Sequence, residues 1–117
     1  MREEIRDKER LVHIQNAINV LMERKDTHTY EEMVSDPIIF YGFVKHIEII
    51  GEAVFMLTKE YRNAHNEVAW DDIERMRHVL VHGYYKIRPD QLWRTIQDDI
   101  PLLKPFIDQL IENYKEI

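Results

Sequence analysis

The stretch RMRHVLVHGYYKIR, Arg75 to Arg88, holds two histidines, two tyrosines and four basic side chains within fourteen residues. An arginine and a histidine are chemically complementary. Guanidinium stays charged at any relevant pH and offers a planar fork of donors matched to phosphate oxygens. Imidazole, with an ordinary pKa near 6.5, takes or gives a proton at neutral pH. Cleavage of RNA by its own 2′-hydroxyl needs both functions. One proton leaves the nucleophile, another reaches the departing oxygen, and negative charge builds on the phosphoryl oxygens between them. Arg77 would stabilise that charge and His82 would move a proton, with no metal required. A single imidazole does not readily serve both ends of the reaction, and a symmetric dimer would bring two sets together.

A helical wheel, at about 100° per residue from Arg77, gives this segment two faces. Ile73, Met76, Val79, Leu80 and Gly83 gather on one side, which makes it the face turned to the protein's own core. Arg77, Val81, Tyr85, His78 and His82 occupy the other. Water gives no reason for an apolar centre between charged edges, whereas a partner surface does. Tyr84 falls close to Arg77 along the axis. Two plainer readings fit the same spacing. An Arg and a His five apart occur on ordinary surface helices, and His78 and His82, four apart, have the spacing of a metal-binding pair. The latter lacks an HExxH pattern and a nearby acid as third ligand.

The elements that must position this cluster can be read from the rest of the chain. Its 117 residues, 44% of them apolar, suit one domain with one core spanning residues 1–117. Cysteine is absent, which excludes disulfides and thiolate metal sites and suits a reducing cytoplasm. The N-terminal stretch lacks the apolar core of a signal peptide, and no run is long enough for a membrane span. Net charge is −6, contrary to a surface uniformly attractive to nucleic acid. The positive charge is local instead: Arg75, Arg77, Lys86, Arg88 and Arg94 face one acid, Asp90, within twenty residues.

Only three glycines are present and no strand alternation is sustained, so the pattern predicts an all-α fold, a four- or five-helix antiparallel bundle. Leu11, Ile14, Ile18 and Leu21 mark a first helix from about Glu3 to Lys25. The polar DTHTYEE interrupts it. Asp36 and Pro37 are start signals for a second, nearly all-round apolar helix reaching about Arg62. A third begins near Trp70 and runs through the cluster to about Tyr85. A fourth starts at Arg88-Pro89-Asp90 and is kinked or split by Pro101 and Pro105.

Several segments together resemble a known family. Arg77 to Tyr84 resembles the arginine, polar residue, three residues, histidine, any residue, tyrosine signature of the HepT-like branch of the HEPN superfamily, small all-α ribonuclease toxins. IEIIGEAV, Ile47 to Val54, is similar to the family's IGEA segment, and DDIPLLKPFI resembles its last helix. The resemblance covers residues 5 to 112 or so. It implies a homodimer with two Arg-x4-His motifs facing across a cleft, metal-independent cleavage of RNA, and no cofactor. Arg77 and His82 match the catalytic pair, His78 the polar position that supports it, and Glu52 the acid of IGEA. Tyr84 matches the tyrosine to which a nucleotidyltransferase antitoxin attaches AMP. Two other functions suit the same face: a non-catalytic helical partner or substrate-binding subunit of a nucleotidyltransferase, and a structural helical dimer.

Overall fold

A computed structural model of the protein describes residues 2–75 and 87–114, and all regular structure among them is helical. In order these are α1 (Arg2–Arg24), α2 (Tyr30–Ser35), α3 (Pro37–Met56), α4 (Lys59–Ala64), α5 (residues 70–75), α6 (Pro89–Arg94) and α7 (Ile100–Glu112). A single wide π-type turn, Thr95–Asp99, joins the last two. No helix of the described residues is long and apolar enough to cross a membrane.

The apolar stripe of α1 places Leu11, Ile14, Ile18 and Leu21 in the core, and they pack with Val44, Ile47, Ile50 and Val54 from one face of α3. Burying each such side chain fully contributes about 1.5–3 kcal/mol, so this interface dominates the fold. Helix α1 meets α7 on its other side. Gln15 donates to Asp108 at 2.9 Å, Lys104 to Asn19 at 3.1 Å, and Gln97 to the Lys25 carbonyl at 2.7 Å. As numbers rise along α1 they fall along α7, which makes the pair antiparallel. Lys104 and Gln15, both bonding to Asp108, hold that carboxyl below its ordinary range.

Asp36 caps α3 as its sequence predicts, accepting from the Ile38 amide at 3.0 Å, with Pro37 in the first turn. Two expectations are corrected. The DTHTYEE segment is not a plain interruption: Thr29 and Glu32 form a capping box that starts α2. Glu32 is held below its ordinary carboxyl range, first by the Thr29 backbone N–H and then by the Thr29 hydroxyl. The second long helix also stops at Met56 rather than near Arg62. Asp7, 2% exposed, accepts from the Thr58 amide at 2.8 Å and the Thr58 hydroxyl at 2.7 Å. An amide turned towards Asp7 is not part of a helical ladder, and Thr58 instead caps α4 through the Tyr61 amide. The all-round apolar character of α3 is likewise only half used by the core, since Ile38 (85%), Phe55 and Met56 remain exposed.

The expected break near Pro101 takes the form of the π-type turn. A proline ring disfavours the normal helical position of the carbonyl four residues earlier, here Gln97. The Ile100 amide reaches back to Thr95 across five residues, and the turn widens around the conflict.

Removing the Thr58 hydroxyl leaves one oxygen of a buried carboxylate without its donor and removes the α4 cap. Thr58→Ala is expected to lose about 1–3 kcal/mol in urea unfolding, and Thr58→Ser to retain most of it. Equal midpoints for Thr58→Ala and the parent would contradict this account of where α3 ends.

Candidate active site

Arg77, His78, His82 and Tyr84 lie outside the described residues. The structure does define the elements that lead into and out of this segment, and it places Glu52.

The leading element is α5. Trp70 opens it, buried, with its indole N–H donating to the His65 carbonyl at 2.9 Å. Arg62, near the end of α4, reaches across with both arms of its guanidinium. One nitrogen lies 2.6 Å from Asp71 and the other 2.8 Å from Glu74. The two acids sit three apart, on neighbouring turns of one face, which is the spacing a planar fork can span. Asp72 and Arg75 form a further ion pair along the helix. Helix α5 is thus anchored through its first turns, immediately before the Arg77 segment. On the far side, Ile87 packs against the core and Arg88 pairs with Asp90 at 3.0 Å, at the start of α6.

Glu52 lies on the solvent face of α3 and lines a groove of about 280 Å³ between α1 and α3. Arg10, His13 and Ala53 line it too, as do Lys45, Glu48 and Ile49. Lys45 and Glu48 stand 3.9 Å apart. Arg10 differs from the others because its Nε is buried and has no hydrogen-bond partner. Neither His13 nor Arg10 stands out in the sequence; their i, i+3 spacing on α1 is the available signal.

A second, larger groove of about 610 Å³ lies between α4 and the end of α7. Tyr61, His65 and Tyr114 line it with Asp7, and the Tyr61 and His65 rings are 4.4 Å apart. Burial pushes the Tyr61 phenol well above its ordinary pKa, with Tyr114 and Asp7 adding to the effect. Among the described residues no three His, Asp or Glu side chains gather as metal ligands.

An all-α antiparallel bundle is consistent with a HEPN-type fold. Residues 14–110 match the family described as "Ribonuclease HepT-like", and the chain belongs to that family. It is 37% identical over 105 residues to a protein of Caldanaerobacter subterraneus subsp. tengcongensis named "Putative RNase", covering 90% of this chain and 94% of that one. It is 31% identical over 103 residues to the "Probable ribonuclease HepT" of Thermococcus cleftensis, covering 88% and 94%. No solved structure matches the chain.

If Arg62 anchors α5, its loss should loosen the first turns of that helix. Arg62→Ala is expected to cost about 1 kcal/mol locally, read as about fivefold faster hydrogen exchange at the Ile73 amide. Unchanged exchange there would mean that the fork carries no weight.

Proposed function

We propose that the protein is a metal-independent endoribonuclease toxin, with Arg77 and His82 as its catalytic pair. The observation that carries this reading is the Arg77-x4-His82 segment itself, directly following an anchored helix in a member of a ribonuclease family. In the proposed reaction the 2′-oxygen of a ribose loses its proton and bonds to the adjacent phosphorus. The bond from phosphorus to the 5′-oxygen breaks, and that oxygen takes up a proton. Products are a 2′,3′-cyclic phosphate and a 5′-hydroxyl, so no outside reactant is consumed. Arg77 stabilises the charge on the phosphoryl oxygens, His82 transfers a proton, and His78 supports the pair.

The proposal takes residues 1–117 as one domain that acts as a homodimer in the cytoplasm, each copy contributing one imidazole to a shared cleft. Exposed Ile38, Phe55 and Met56 on α3 support a partner surface, since water favours none of them there. Control falls to a nucleotidyltransferase antitoxin. It transfers AMP from ATP to the Tyr84 hydroxyl with release of pyrophosphate, and the added phosphate competes for the guanidinium that RNA uses.

Expression of the wild-type chain is expected to arrest growth and degrade RNA, and His82→Ala to lower cleavage by about 10²-fold or more. The rate should follow a bell between about pH 5 and 9, with one imidazole acting protonated and one neutral. Co-expression of the nucleotidyltransferase should restore growth to wild type but not to Tyr84→Phe. Equal cleavage by wild type and His82→Ala, or a flat pH profile, would refute the assignment.

A further inference from the structure

The larger groove, between α4 and the end of α7, has no part in the proposed reaction, yet its volume of about 610 Å³ is that of a small-molecule site. Aromatic rings form much of its wall. The Tyr61 ring centroid lies 4.4 Å from that of His65 and 5.8 Å from that of Tyr114, and all three side chains are partly open to solvent. Phe106, 45% exposed, lines the groove from α7.

Charge along this groove is one-sided. Asp7, Glu60 and Glu67 are among the described lining residues, and no lysine or arginine is. Asp7 is buried with both oxygens taken by Thr58, so it acts through its field alone, whereas Glu60 and Glu67 stand exposed. His65 Nδ1 lies 3.6 Å from Glu67, but even a protonated imidazole offsets only one of the three carboxylates. Gln109 and Asn113 bring the C-terminal turn of α7 to the groove, and with it the negative end of a helix dipole. Burial first, and then Tyr114, Asp7 and Glu67, keep the Tyr61 phenol protonated.

These surroundings sort the possible ligands by charge. An anion, a phosphate included, meets carboxylates with no fixed cation to offset them. A metal ion finds only two accessible carboxylates, and among the described residues no three ligands gather. A neutral apolar molecule would use the rings but gain nothing from the acids. An organic cation uses both, since ring faces attract positive charge and apolar surface alike.

We infer that the α4/α7 groove binds a small organic cation, an alkylammonium or guanidinium compound, with Tyr61, His65, Tyr114 and Phe106 as its ring wall and Glu60 and Glu67 as counter-charges. The inference does not depend on RNA being the substrate.

The test titrates the isotopically labelled full-length protein with choline, and in parallel with 3,3-dimethyl-1-butanol, its uncharged isostere. Choline should shift the ring signals of Tyr61, His65 and Tyr114, and the isostere should bind about tenfold more weakly. Glu60→Gln combined with Glu67→Gln should weaken choline binding on the order of fivefold, and added salt should weaken it in the parent chain. Tyr61→Leu should weaken it about threefold or more. Both glutamates are exposed, so their double variant keeps the measurement meaningful if Tyr61→Leu folds poorly. Absence of shifts at about 10 mM choline, enough to fill a millimolar site, would overturn the site. Equal binding of choline and its isostere, or equal choline binding by the parent and the double glutamine variant, would overturn it as well.

Discussion

Two oxygens of Asp7 determine where the longest apolar helix ends, and much of the remaining geometry follows from that. By drawing in both the amide and the hydroxyl of Thr58, Asp7 stops α3 and lets Thr58 start α4. Helix α4 then delivers Arg62 to Asp71 and Glu74. A continuous polar path thus runs from the early turns of α1 to the base of the helix that precedes Arg77. At its inner end Asp7 is buried, where removing its partner strands the carboxylate at a cost, and its outer end is partly solvated, where the same geometry is worth less.

How legible this was in the sequence depended on the range of the interactions. Apolar periodicity correctly indicated the core face of α1, because burial of Leu11, Ile14, Ile18 and Leu21 is written into 3.6-residue spacing, whereas α3 reads as apolar nearly all round and its core face emerges only in the packed bundle. Asp36-Pro37 announced a helix start for a local reason, the capping of nearby amides. The end of α3 was not legible, because Thr58 stops the helix by bonding to a residue fifty-one positions away. The short α2 was legible in principle, since Thr29-Tyr30-Glu31-Glu32 carries the Thr-x-x-Glu signature, but its polarity suggested a loop. Membership in the HepT-like ribonuclease family agrees with the resemblance carried by the Arg77 to Tyr84 and IGEA segments. Glu52 was legible only through that resemblance, and its groove companions Arg10 and His13 only as an i, i+3 pair on α1, because the approach of α1 to α3 is a property of the packed bundle.

The acidity of the chain, at odds at first sight with an RNA substrate, fits a division of charge. The excess acids lie largely outside the Arg75 to Arg94 stretch, where they keep the rest of the surface from binding nucleic acid indiscriminately. Outside that stretch acidic residues outnumber basic ones twenty-one to eleven, whereas within it five basic residues face one acid, so the positive excess is local to it. Local positive potential amid a negative surface selects a single path for a polyanion and makes binding sensitive to salt.

The central claim is that the substrate's own 2′-hydroxyl is the nucleophile and that Arg77 and His82 act on that attack. The most direct test replaces the ribose at a mapped cleavage site with 2′-deoxyribose and analyses the product ends. The account predicts that the native oligonucleotide yields a 2′,3′-cyclic phosphate and a 5′-hydroxyl, undiminished by a chelator, and that the substituted one stays intact at that bond. Cleavage of the 2′-deoxy bond at a comparable rate would contradict it.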